Sequence, residues 1–173
     1  MITIIGGTNR KNSITLKVVR YYEKLLNKRG EKCQVLDLAK LPDDFVFSSL
    51  YGEENVEFAQ ITKQFIFEPS KLIVITPEYN GSFPGVMKSF IDGWDPRKVS
   101  GKWVALTGVS SGRQGNARGM DDLTNILNYL KINVVPVKPP LSQIFKLLNE
   151  DGDIFDDGMN DLISLQLDLL LEK

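Results

Sequence analysis

Histidine is absent from all 173 residues of the chain. Its absence excludes Ser-His-Asp and Cys-His nucleophilic catalysis and removes the commonest zinc ligand. Cysteine occurs once, at Cys33, so neither an internal disulfide nor a cysteine metal cluster can be built. A lone thiol suits a reducing compartment, and a cytoplasmic location is the expectation. Charge of one sign is also lacking: 21 basic residues face 22 acidic ones, for a net charge of −1. Such a balance offers no broad basic field for nucleic acid and no acidic field for docking on redox partners. Apolar runs are short. None approaches the ~20 residues of a membrane span, and the apolar C-terminal stretch is interrupted by Gln166 and Asp168. Neither a nucleic-acid nor a membrane partner is expected. Met1 leads straight into the apolar Ile2–Ile5 without a basic segment or cleavage site, which argues against a signal peptide. With nucleophile–base pairs missing, the chemistry is expected to belong to a bound cofactor.

What is present is ordinary globular material, 42% hydrophobic and 25% charged, in a length that suits one domain with a full core. Short β-branched runs alternate with helical patterns. Strands are expected at Ile2–Ile5, Cys33–Leu38, Leu72–Thr76, Trp103–Leu106 and Asn133–Val137. Helices are expected at Ser13–Arg29, with Gly30 as its C-terminal stop, and at Glu53–Phe67, closed by Pro69. Three more are expected at Pro84–Asp92, Asn116–Leu130 and Gly158–Leu171. Leu41–Asn55, with Pro42 and Gly52, reads as an irregular crossover. Strands each followed by a helix imply right-handed βαβ units and a parallel sheet covered on both faces. The expectation is α/β, a flavodoxin-like three-layer α/β/α fold with a five-stranded parallel sheet, since five strands suit that order better than the six-stranded dinucleotide-binding one.

Two loops carry the chemistry. The first, Gly6 to Thr15, joins the first strand to the first helix, and free amides at a helix N-terminus make an anion site. Thr8, Ser13 and Thr15 add hydroxyls, and Arg10 and Lys11 add positive charge. The triphosphate loop is excluded because no glycine precedes a Lys-Ser or Lys-Thr pair here. G-x-G-x-x-G is excluded by Thr8 and Lys11. A phosphomonoester remains, or else a plain capping turn in which Ser13 caps the helix. The second loop follows the buried run of Lys71–Trp94, KLIVITPEYNGSFPGVMKSFIDGW. Pro77 and Pro84 restrict it while Gly81 and Gly85 allow close backbone approach, so it presents amides to a flat ring with Tyr79 nearby. The alternative is an ordinary strand–helix turn with Tyr79 packed on the helix.

The stretch Gly7-Thr8-Asn9-Arg10-Lys11-Asn12-Ser13 resembles the G-S-x-R-x-x-S loop of the NADPH-dependent FMN reductase family. Pro77-Glu78-Tyr79-Asn80-Gly81-Ser82, with Pro84-Gly85 and Lys88, resembles its P-E-Y-N-G-S-x-P-G-x-x-K signature. The resemblance implies that Thr8, Arg10, Ser13, Ile14 and Thr15 bind the phosphate end of FMN. Pro77, Glu78, Tyr79, Asn80 and Gly81 would line the isoalloxazine ring, and Ser110, Ser111 and Gly112 would close its other side. Thr8 stands for the usual serine and Thr15 for the usual asparagine. Gly93 falls where a tryptophan is common, so Trp94 is displaced by one. The third loop, Gly112-Arg113-Gln114-Gly115-Asn116, lacks the family's paired glycines.

By the same resemblance, residues 1–173 form a single flavodoxin-like FMN-binding domain with no catalytic side chain. NADPH or NADH would give hydride to bound FMN, which would pass it to a small-molecule acceptor such as a quinone, azo compound, free flavin or metal oxyanion. Relatives of this kind are homodimers or homotetramers, and Phe83, Phe90, Trp94 and Trp103 divide between core and a subunit face. The competing classes are an FMN-binding electron carrier and a regulatory module that has lost catalysis. Replacing Arg10 tests the phosphate assignment. A charged hydrogen bond is worth about 1.5–3 kcal/mol, so Arg10→Ala is expected to lower the preference for FMN over riboflavin by roughly tenfold or more. Equilibrium titration with both flavins measures it, and an unchanged ratio removes Arg10 from the site.

Overall fold

Buried apolar runs too short for anything but strands make the centre of the molecule. In the computed structural model, which describes residues 1–48 and 55–173, they are β1 (Ile2–Gly6), β2 (Cys33–Asp37), β3 (Lys71–Pro77) and β4 (Trp103–Val109). Two-residue strands β5 (Asn133–Val134) and β6 (Pro140–Leu141) complete the sheet. The order is β2-β1-β3-β4-β5, β6 also pairs with β4, and every pairing is parallel. This is the flavodoxin-like arrangement expected from the alternating pattern.

Alternation along β3 shows why the sheet needs two helical layers. Leu72 and Val74 enter one apolar cluster, with Phe58, Met87, Phe90, Leu123 and Leu127. Ile73 and Ile75 enter the other, with Val18, Tyr22, Leu26, Ile163 and Leu167. The first cluster is roofed by α3 (Val56–Thr62), α4 (Gly85–Asp92) and α6 (Ala117–Tyr129), and the second by α1 (Ile14–Lys28) and α7 (Asp157–Leu171). All four β3 residues are fully buried. At about 1.5–3 kcal/mol for each large apolar side chain, the strand is held from both faces.

Local signals set the helix ends. Ser13 caps α1 by accepting from the Leu16 amide at 3.2 Å. Its far end closes in a Schellman motif at Gly30, with the Gly30 amide on Asn27 O and the Glu31 amide on Leu26 O. Of the helix expected over Glu53–Phe67, Glu53 and Glu54 lie outside the described residues. Asn55 caps α3, which widens after Thr62 into a π-helical turn, Lys63–Phe67, with the Glu68 amide on Lys63 O. The Lys102 ammonium donates to Phe67 O at 2.8 Å and to Pro69 O, satisfying two carbonyls where the chain leaves this turn. The crossover expected to be irregular holds a short helix, α2 (Phe45–Ser48), and residues 49–54 of it lie outside the described residues. A further turn, α5 (Pro96–Val99), escaped the periodicity because four residues are too few to show one.

The fifth strand departs from the expected Asn133–Val137. Pairing stops at Val134 and resumes at Pro140. Pro136, Pro139 and Pro140 have no N–H to give the ladder. The Val135 amide still reaches Val104 O at 2.9 Å, and Pro139 O accepts from Gly108 at 3.0 Å, so one strand path survives in two pieces. Phe90 and Trp94 are core residues, packed edge to face at 5.6 Å, whereas Phe83 and Trp103 are half-buried at its margin.

One polar network lies inside the α1–α7 layer. The Tyr22 hydroxyl meets Thr107 Oγ1 at 2.8 Å and donates to Gln166 Oε1 at 3.0 Å, while Gln166 Nε2 donates to Leu106 O and Val137 O. Burial pushes the Tyr22 phenol far above its ordinary range, so it is a neutral donor. Gln166, which breaks the apolar C-terminal run, thereby pins α7 to β4. Tyr22→Phe is expected to cost about 1 kcal/mol in a urea unfolding titration, with the slope unchanged. An unaltered midpoint would show that the network contributes nothing to stability.

Candidate functional site

The three loops singled out by sequence leave the carboxyl ends of β1, β3 and β4, which are adjacent and parallel. They therefore emerge side by side at one edge of the sheet, where ligands of open α/β folds bind. A cleft of about 470 Å³ lies there, lined by Arg10, Ser13, Ile14 and Thr15, by Pro77, Glu78 and Tyr79, and by Ser110 and Ser111. A smaller cavity of about 260 Å³ adjoins it, bounded by Glu78, Asn80, Gly81, Ser110, Ser111 and Gly112. Glu78, Ser110 and Ser111 belong to both. Every residue that the family resemblance assigns to the site, except Thr8, lines one of the two. Another cavity, of about 450 Å³ between α3 and the α4–α5 connection, contains none of these loop residues.

Thr8 lies beneath the cleft, 2% exposed. Its hydroxyl pairs with the Tyr79 hydroxyl at 2.9 Å and accepts from the Arg10 amide at 3.2 Å. It braces the first loop against the second. Ser13 is the helix cap, so the capping reading of this loop holds, yet its hydroxyl hydrogen is still free to donate. The amides of Ile14 and Thr15 have no acceptor among the described residues. Nor does any described carboxylate pair with Arg10 or Lys11. Free amides, hydroxyls and an unpaired guanidinium form a donor set that fits a phosphate dianion.

The second loop is a two-residue turn with both central residues left-handed, Asn80 at φ 53° and Gly81 at φ 80°. Asn-Gly is the pair that adopts this geometry most readily. The Tyr79 amide donates to Ser82 O and the Ser82 amide to Tyr79 O, while the Glu78 amide extends the sheet to Val109 O at 2.8 Å. Glu78 and Tyr79 thus have no amide to spare, and within residues 77–81 the amides left without acceptors among the described residues are those of Asn80 and Gly81. In the third loop the Ser110 hydroxyl donates to Gly112 O and accepts from the Gly115 amide, so it shapes the loop. The amides of Ser111 and Gly112 remain without acceptors among the described residues. Four unpaired amides therefore surround the smaller cavity. The third loop can sit this close to β4 because Gly108 has no side chain: a Cβ there would lie 2.0 Å from Gly115 O.

Sequence reasoning missed Asn12, Val109, Ile144 and Phe145, which also line the main cleft. The last two come from a turn after β6 that is tied to the third loop by Gln143 N to Gly112 O and Ile144 N to Ser110 O. Phe145 stands 67% exposed at the rim. Only the strand order brings it there. Lys88 of the signature forms an i,i+4 ion pair with Asp92 at 2.7 Å and lines neither cavity.

An open parallel sheet with a donor-lined cleft across three adjacent strand ends defines a binder of a phosphorylated, flat ligand. The chain belongs to the NADPH-dependent FMN reductase family, whose model matches residues 1–145. FMN and NAD(P)H are the cofactors of this oxidoreductase family, and the donor set fits the former. The chain is 37% identical over 153 residues to the NAD(P)H-dependent FMN reductase of Pseudomonas aeruginosa, covering 82% of this chain and 77% of that one. It is 30% identical over 135 residues to the 2-hydroxy-1,4-benzoquinone reductase of a Burkholderia species, covering 76% and 72%. Its fold matches the flavoenzyme NAD(P)H:(acceptor) oxidoreductase FerB of Paracoccus denitrificans with a TM-score of 0.76 at 24% identity, over 98% and 94% of the two chains. Among the described residues no helix is long and apolar enough to cross a membrane.

Proposed function

We propose that residues 1–173 form one FMN-binding domain that works as a cytoplasmic NAD(P)H-dependent reductase of small acceptors, with quinones the leading class. The observation that carries this reading is the joining of two unlike cavities. One end is rich in phosphate donors, the other is ringed by backbone amides, and they share Glu78, Ser110 and Ser111. Arg10, Ser13 and the amides of Ile14 and Thr15 would hold the phosphate, with Thr8 bracing the loop from below. The amides of Asn80, Gly81, Ser111 and Gly112 would face the ring edge. FMN, when bound, supplies two-electron hydride chemistry. The chain contributes orientation, and its fixed amides favour negative charge at the ring edge without having to reorganise.

Tyr79, 37% exposed, and Phe145 present aromatic faces at the rim. Such faces suit a planar acceptor, in keeping with the quinone named for the Burkholderia relative. The competing readings, an electron carrier or a regulatory module, demand no turnover of pyridine nucleotide. Rapid anaerobic mixing of the yellow protein with NADPH separates them. Bleaching within seconds, followed by recovery of colour on adding a benzoquinone, is the expected result. Bleaching no faster than that of free FMN rules out the reductase.

A homodimer or homotetramer is part of the proposal. It is supported by a groove of about 430 Å³ between α4 and α6, lined by Ile91, Trp94, Ile126 and Leu130, beside which Tyr129 is 87% exposed. Light scattering at micromolar concentration is expected to give at least twice the monomer mass. A monomer there contradicts it.

A further inference from the structure

We propose that Asn116 is a positioning residue for the flavin site, a latch that holds the end of β3 and the ring-facing loop beyond it against the start of α6. The flavin part of this inference rests on the function proposed above; the latch itself rests on geometry. Asn116 is left-handed, at φ 59° and ψ 32°, and follows Gly115 at φ 55°. Two consecutive left-handed residues are ordinarily a place for glycine, and asparagine is the side chain that best tolerates the conformation. This is where the third loop departs from the paired glycines of the family it resembles.

The side chain has been put to use. Asn116 is 1% exposed, and its amide nitrogen donates to Thr76 O at 3.1 Å and to Pro77 O at 3.0 Å, some forty residues away in sequence. The opposite rotation of the amide would set an oxygen against two carbonyl oxygens, so the donor orientation is the one chemistry requires. Asparagine in this position ordinarily accepts from the first turn of its helix. Here it makes no cap bond, and Oδ1 has no partner among the described residues. The helix gains nothing from the arrangement and a buried acceptor is left unsatisfied. The beneficiary is the end of β3.

Gly119 completes the latch, since a Cβ there would stand 2.2 Å from Asn116 Oδ1 and 2.7 Å from the Phe83 amide nitrogen. The first turn of α6 thus lies flush against the exit of the Tyr79–Ser82 turn. Thr76 and Pro77 lead directly into that turn. Fixing their carbonyls fixes the unpaired amides of Asn80 and Gly81, and sets their distance from those of Ser111 and Gly112.

Two variants test this. Asn116→Gly keeps the left-handed backbone and removes the latch, while Asn116→Asp keeps the shape and removes the donors. Both are expected to weaken FMN about tenfold, as the loss of two buried hydrogen bonds implies. Riboflavin should weaken by the same factor, because the latch acts on the ring and not on the phosphate. In the flavin-free protein, exchange of the hydrogen-bonded Glu78, Tyr79 and Ser82 amides should quicken, and that of the Gly7 and Leu16 amides flanking the first loop stay unchanged. A merely structural role would not confine the change in this way. Affinities within twofold of wild type, with unchanged exchange at Glu78, Tyr79 and Ser82, overturn the latch. If Asn116→Asp fails to fold, Asn116→Gly decides the matter, since glycine accepts this backbone. If wild type itself binds no FMN, the proposed function falls, and the exchange measurement still decides the latch.

Discussion

Burial of β3 on both faces and both edges is the constraint on which the rest depends. Its side chains alternate between two apolar clusters, and its backbone pairs with β1 on one side and β4 on the other. Because it is parallel to both, three strands end together and three loops must leave from one edge. A shift of the register of β3 by one residue would exchange the faces of all its core side chains, so the loop that follows is as tightly placed as the strand itself. The site follows from this placement: no loop reaches for another, since each begins beside its partner.

The loops then solve a second problem, which is to leave donors unpaired at residues that line the clefts. At each strand end some amides are consumed in holding the loop: Gly7 on Ile75, Glu78 on Val109 and Ser110 on Leu141. Others, at Ile14, Asn80, Gly81, Ser111, Gly112 and the buried Thr15, are left over among the described residues at positions that line the clefts. Backbone in this state is costly to bury yet inexpensive to expose to a polar ligand. Side chains that look like ligands serve partly as braces, with Thr8 against Tyr79 and Ser110 within its own loop. Under the proposed function the hydride chemistry would belong to the flavin, which asks for no catalytic side chain.

The signals that worked in the sequence were those that report on the nearest few residues. Ser13 and Gly30 marked the ends of α1, Asn80-Gly81 marked a turn, and the β-branched runs marked four of the strands. The fifth strand was misjudged at its far end, where Pro136, Pro139 and Pro140 withhold amides and the ladder continues through the Val135 amide and the carbonyls of Pro139 and Leu141. Periodicity could not reveal α2 or α5, each of four residues, because one turn of helix has no period.

Sequence by itself determined the kinds of element, their alternation and hence the parallel sheet, and local motifs in it marked two of the loops that line the cleft. Those properties depend on side-chain period, caps and turn residues, all read within a few positions. Tertiary structure alone decided which amides are spent and which remain, because that depends on the register between distant strands. It also brought Ile144 and Phe145 to the cleft and turned Asn116 from a missing glycine into a clamp on Thr76 and Pro77. Contacts across forty residues have no local signature; they exist only once the buried sheet has set the strand ends side by side.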